Sequence, residues 1–140
     1  MTARLTEIVV DCRDPLALAT FWAGVLDYQV VRAEGGQVEI AASRHEVADL
    51  ARQVLLAPIV PTLVFVTVPE DKTVKNRLHL DIRPVGCPHD AEVERLIRLG
   101  ARRHDLGAGV QPWAVLADPE GNEFCVLSPL DASAVDHFPP

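Results

Sequence analysis

The chain has 140 residues, 49% hydrophobic and 24% charged, which is the size and balance of one globular domain with a solvated surface. A formal net charge of −7 leaves no broad basic face for phosphate backbones, so nucleic acid is set aside as a partner. No apolar run reaches the roughly 20 residues that span a bilayer, the N-terminus has no apolar signal core, and Cys12, Cys87 and Cys125 lack paired spacing and read as reduced thiols. A cytoplasmic protein with no membrane partner is expected.

Residues 5–11 are β-branched and roughly alternating, which predicts a strand. Asp14-Pro15 follows as N-cap and first helical residue. Leu18, Phe21, Trp22, Val25 and Leu26 then recur at helical spacing, so a helix should run to about Asp27. Residues 28–33 and 37–41 read as strands around Gly35-Gly36. Val47, Leu50, Ala51, Val54 and Leu55 suit a short amphipathic helix within 43–58, and residues 63–68 form another strand.

The second half runs through the same order. Residues 77–83 alternate as a strand, and 84–88 form a turn-rich connection. Residues 89–99 form a helix with Val93, Leu96, Ile97 and Leu99 inward, stopped by Gly100. Residues 101–105 and 113–117 are strands flanking a glycine-containing loop. Asp118-Pro119-Glu120-Gly121-Asn122 is a turn, and 123–127 is the closing strand. The tail 131–140 has no clear pattern and is expected to pack loosely or fray.

Each half therefore reads strand, helix, three strands, an α+β repeat. Glu7 and His79 hold the same place in their first strands, 72 positions apart, and Leu26 and Leu99 end the helices 73 apart. Val66 and Cys125, in the last strands, are only 59 apart. The first half thus carries about 13 extra residues, in the segment 43–58.

The polar residues are concentrated in one place. Alternation puts Arg77, His79 and Asp81 on one strand face and Leu78, Leu80 and Ile82 on the other. That polarity calls for a wet cleft or a polar network. His79 is either held by Asp81 or Glu7 for structure alone or moves protons near neutral pH. Glu7, sharing a face with Val9 and Asp11, is a general base or a hydrogen-bond partner. Cys125, sharing a face with Glu123 and Leu127, is a core thiol or a nucleophile. Arg77 suits a carboxylate or phosphate, while Phe65 and Trp113 either wall a cleft or fill a core. Glycine-rich phosphate loops, Gly-x-Ser-x-Gly and Cys-x-x-Cys are all absent.

Asp14-Pro15 with Phe21-Trp22, the run Lys75-Asn76-Arg77-Leu78-His79-Leu80-Asp81, then Leu99-Gly100-Ala101, Trp113 and Asp118-Pro119-Glu120-Gly121-Asn122-Glu123-Phe124-Cys125 resemble the vicinal oxygen chelate superfamily, glyoxalase-like branch. The likeness covers about residues 4–130. It implies a single domain 1–140 made of two tandem βαβββ modules, about 4–70 and 75–130, with a tail 131–140. Their mixed sheets would curl around a cleft, often in a homodimer. In metal-dependent members four inward side chains ligate a divalent ion, and those positions fall here on Glu7, Val66, His79 and Cys125. Glu7 and His79 are competent ligands, Cys125 stands where a glutamate is usual, and Val66 cannot ligate.

The resemblance therefore leaves open a metal set of Glu7, His79 and Cys125 holding Zn, Fe, Mn or Ni, and equally an ion-free site. It implies an enzyme acting on a small metabolite by isomerase, lyase or proton-transfer chemistry. His79 and Glu7 would be catalytic, and Arg77, Asp81, Phe65, Val66 and Trp113 would line the substrate site. A non-catalytic small-molecule binding or resistance protein of the bleomycin-resistance type is the alternative, and a regulatory domain with a vestigial cleft is the third. The segment 43–58 would serve as a lid or a dimer contact.

Overall fold

The structure, a computed structural model, describes residues 3–44, 47–104 and 112–130. The chain divides into two compact units, Met1–Lys72 and Thr73–Pro140.

The first unit contains β1 (Glu7–Cys12), α1 (Pro15–Leu26), β2 (Gln29–Glu34), β3 (Gln37–Ala41), α2 (Val47–Leu56) and β4 (Thr62–Thr67). The start and stop of α1 follow from its sequence. Asp14 accepts the Ala17 N–H at 3.0 Å, and Asp27 ends the helix in the left-handed region at φ 56°. Leu18, Ala19, Phe21, Trp22 and Val25 are buried on one stripe, with the Phe21 and Trp22 rings edge to face at 5.4 Å.

The strand order is β1-β4-β3-β2, with β1 and β4 parallel and the other pairs antiparallel. Register places Ile8 beside Leu63, Val10 beside Phe65 and Val38 beside Phe65, so these side chains share one face, and α1 packs on β3 and β4. The opposite face carries Glu7, Val9 and Asp11, all exposed, beside Thr62, Val64 and Val66.

The second unit contains β5 (Asp81–Ile82), α3 (His89–Leu99), β6 (Arg102–Arg103), β7 (Ala114–Ala117) and β8 (Glu123–Val126). Its order, β5-β8-β7-β6, repeats that of the first unit, again with the first and last strands parallel. The expected α+β repeat of mixed sheets is therefore present. Where the first unit inserts α2, the second has only a tight turn. Asp118, fully buried, accepts there from the backbone N–H groups of Glu120 and Asn122 and from the Asn122 amide. Gly121 completes the turn at φ 89°, a conformation that favours glycine.

Two expectations are corrected. The strand expected over 77–83 is only Asp81–Ile82. Asp81 pairs with Cys125, and the same register carried back sets His79 against Glu123 and Arg77 against Gly121, inside the turn. Arg77 thus has no partner strand to extend along, and Leu78, expected on the apolar face of that strand, is 91% exposed. In α3, Val93 and Leu96 are buried but Ile97 and Leu99 are exposed. Glu92 is buried in their stead, its carboxylate accepting two hydrogen bonds from Arg95 at 2.7 and 2.8 Å. Residue 105, the glycine-containing loop, the tail 131–140, His45 and His137 lie outside the described residues. Among the described residues, no helix is long and apolar enough to cross a membrane.

Candidate functional site

The short ladder between β5 and β8 builds the site. The Cys125 N–H donates to Leu80 O at 3.0 Å and the Leu127 N–H to Ile82 O at 2.8 Å, which locks Asp81 beside Cys125. One pleat earlier, His79 Nδ1 lies 3.0 Å from Asp81 Oδ1. A carboxylate only accepts, so Nδ1 donates, and in the neutral imidazole the lone pair is then on Nε2. The His79 and Asp81 side chains are each about two-fifths exposed, whereas Cys125 is buried.

Ligand atoms of His79, Asp81 and Cys125 all lie within 4.8 Å of one another. The Cys125 thiol is pushed up to about 11, first by burial, then by the charge of Asp81 and a hydrogen bond to it, with Lys75 pulling the other way. Near neutral pH it is a thiol and a hydrogen-bond donor, which is unsuited to nucleophilic attack.

Glu123, on the same face of β8 as Cys125, is a site residue that the sequence reading did not single out. It is buried, accepts the Asn76 N–H through Oε2 at 3.0 Å and places Oε1 3.9 Å from His104 Nε2. The alternation that put it beside Cys125 was the available signal. Its contact with Asn76 holds the chain just ahead of His79, where no ladder exists.

The second unit by itself thus brings together His79, Asp81 and Cys125. Arg77 is exposed in the segment ahead of β5, and Trp113 is 39% exposed just before β7. In the first unit Glu7 opens β1, exposed beside Thr62, Val66 is half-buried beside Asp11, and Phe65 is fully buried among core side chains.

Comparing the two parallel pairs tests the first unit as a source of ligands. If Glu7 is matched to His79, then Val9 matches Asp81 and the residue equivalent to Cys125 is Val64. If Asp11 is matched to Asp81, it is Val66. Either way β4 offers a valine, and no donor atom.

A divalent ion fits the donor set of the second unit. Three side chains bearing an imidazole nitrogen, a carboxylate oxygen and a sulfur lie close enough to converge on one centre, and zinc or ferrous iron accepts that mixture. Binding there requires displacing the Cys125 proton.

The sequence matches the glyoxalase-like domain over residues 7–127. The chain belongs to the glyoxalase-like family. This is consistent with the vicinal oxygen chelate superfamily and with tandem modules forming curled sheets. No curated protein matches the chain.

Solved structures share the fold of this glyoxalase-like protein at low identity. A glyoxalase/bleomycin resistance protein/dioxygenase family enzyme from Burkholderia phytofirmans PsJN is 18% identical, with 89% of this chain and 97% of that one covered and a TM-score of 0.59. Fosfomycin resistance protein FosX from Mesorhizobium loti is 13% identical, with 96% and 98% covered and a TM-score of 0.62. A mutant FosX from Listeria monocytogenes, complexed with Mn(II) and a dihydroxypropylphosphonic acid, is 12% identical, with 93% of each chain covered and a TM-score of 0.61.

Proposed function

We propose that this glyoxalase-like protein acts on a small oxygenated metabolite by isomerase, lyase or other proton-transfer chemistry, with His79 as the proton-moving group. The observation that carries the reading is the His79–Asp81 hydrogen bond beside the buried Cys125 thiol. Asp81 fixes the imidazole tautomer and orientation and balances the imidazolium that forms when Nε2 takes a proton. Cys125 donates toward Asp81, so the carboxylate is held from two sides. Glu7, in the first unit, is the second catalytic candidate on the strength of the family pattern alone. Arg77, Asp81, Trp113 and Val66 are the proposed substrate contacts, with Arg77 offering an anion partner.

When bound, a divalent ion (Zn, Fe, Mn or Ni) would be held by His79, Asp81 and Cys125, with Glu7 a further candidate ligand, and would supply Lewis-acid stabilisation of developing oxyanion charge. The Mn(II) described with the Listeria monocytogenes FosX supports looking for one. A small-molecule substrate, a homodimer and a cytoplasmic location complete the proposal, the last supported by three free cysteines.

A second reading, a small-molecule binding or resistance protein of the bleomycin-resistance type, draws on the valines that β4 offers opposite β1. Lost ligands leave a more apolar surface for stoichiometric capture.

The test is elemental analysis of tag-free protein purified without chelators, with His79→Ala alongside, followed by a metabolite screen by mass spectrometry. Near-stoichiometric metal lost in His79→Ala, or repeated turnover abolished by it, supports the enzyme. Turnover that persists at full rate in His79→Ala refutes it, and tight binding with no chemical change moves the assignment to the second reading.

A further inference from the structure

The register of the second unit extends the site face beyond its three converging groups. Ala117 pairs with Glu123 and Arg102 with Ala117, so Arg102 lies in the same cross-strand row as Glu123 and on the face that carries Cys125. Arg103, the next residue, pairs with Leu116 and turns to the opposite face. His104, whose N–H donates to Val115 O, returns to the first face and sets Nε2 3.9 Å from Glu123 Oε1.

The acids on this face are engaged, and the cations that border it are not. Asp81 accepts from His79 and Cys125, and buried Glu123 accepts from the Asn76 N–H. Lys75 at one border and Arg102 at the other are both exposed, and among the described residues neither makes a hydrogen bond or ion pair. By contrast Arg83 donates to Ser128 O, and Arg95 and Arg98 pair with Glu92 and Glu94. Acidic side chains outnumber basic ones 20 to 13, so a shortage of partners does not explain the difference. The charge of Lys75 reaches the Cys125 thiol, where it opposes burial and Asp81, which puts the ammonium on the site side of its segment. Distance then limits the ligand. β6 lies two strands from β8, roughly 10 Å at a spacing of about 4.8 Å. The long stems of lysine and arginine close part of that interval, and the remainder matches a short chain with an anion at each end.

We infer that this face takes a short-chain dicarboxylate, with one carboxylate held by Lys75 and the other by the Arg102 guanidinium, so that the carbons between them lie over β8 beside His79. The guanidinium supplies two parallel hydrogen bonds to its carboxylate, and the ammonium acts as a point charge. The inference rests on the reading of the His79 face as the substrate site and names the substrate class. It concerns binding, which needs no turnover.

The probes are the dicarboxylates succinate and glutarate and the monoanion pentanoate, which matches glutarate in chain length. Binding to the full, chelator-treated chain is measured by NMR titration and calorimetry at constant ionic strength, because salt screens exposed charges. Glutarate should bind one to one and at least about tenfold tighter than pentanoate, the worth of one further charge-assisted pair. Arg102→Gln should bring the two to within about threefold, and Lys75→Gln should weaken glutarate about tenfold. Arg103→Gln removes the same charge from the opposite face and should change glutarate binding by less than about twofold.

No saturable binding of either dicarboxylate at about 10 mM would overturn the inference. So would a glutarate preference that survives Arg102→Gln. Equal damage from Arg103→Gln and Arg102→Gln would reduce the effect to overall charge and overturn it as well. Arg102-dependent binding with no chemical change to the ligand would support the dicarboxylate site while moving the function to the second reading.

Discussion

Cys125 stands among candidate catalytic groups, yet its surroundings make it a poor nucleophile, and that can be measured directly. Burial, then the charge of Asp81 and a hydrogen bond to it, raise the thiol from 9.0 to about 11. At about pH 8 a thiol at the lower value is about one-tenth thiolate, whereas Cys125 is about one-thousandth. Alkylation of Cys125 by iodoacetamide should therefore run about a hundredfold slower than for the lower value, and climb about tenfold per pH step until about pH 11. Asp81→Asn removes the second and third causes but leaves burial, so it should speed labelling only several-fold.

The assay is native, chelator-treated protein, labelled across a pH series and read by peptide mass spectrometry, with half-buried Cys87 as the internal reference. Labelling of Cys125 as fast as Cys87 near neutrality, or a plateau near about pH 8, would refute the reasoning. The same shift fixes a stability dependence. The folded state holds the thiol protonated, so stability is intact below about pH 9 and is lost progressively from about 9 to 11, by as much as about 3 kcal/mol.

Three further outcomes are expected. Asp118→Ala strands the N–H groups of Glu120 and Asn122 and should lower urea stability by about 3 kcal/mol, and a loss under about 1 kcal/mol would show that the turn holds without it. The hydrogen bond from Arg95, aided by its charge, holds the Glu92 carboxyl below the usual range, so its stabilisation is present at neutral pH and fades on acidification. Glu92→Gln should thus cost about 1–2 kcal/mol near neutrality, with the difference from wild type narrowing below about pH 4, and a gap independent of pH would contradict the pairing. Thr62→Val removes a buried hydroxyl with no partner and should raise stability by about 1 kcal/mol in thermal unfolding, an unchanged or lower midpoint arguing that the hydroxyl is satisfied.

What the sequence disclosed depended on how local the physics was. Asp14-Pro15 and Asp27 bound α1 through contacts a few residues apart, so the helix was legible to within a residue. The Asp118 turn likewise depends on its own five residues. The strand over 77–83 was misjudged because alternation cannot report where a partner strand begins, and β8 begins at Glu123. Ile97 and Leu99 read as inward from spacing alone, while Glu92 takes a buried place because Arg95, one turn on, neutralises it.

Of the site, His79 and Asp81 came from alternation, and Cys125 from the family pattern. That these three converge within 4.8 Å depends on the parallel register of β5 on β8, a long-range property that no single segment encodes. Glu123 escaped because its role is to hold a backbone N–H 47 positions away.

The outer position of β1 in its sheet carries a further consequence. A strand paired on one side only within its sheet invites another chain to add to it, and Ile8-Val9-Val10 is a sequence prone to that. Glu7 and Asp11, exposed on either side of Val9, act as gatekeepers that repel an approaching copy of the same acidic strand. Glu7 is thus subject to two separate pressures, and a Glu7→Ala chain that falls out of solution would say nothing about its chemistry. Glu7→Lys, which keeps a charge at the edge while removing the carboxylate, separates solubility from function.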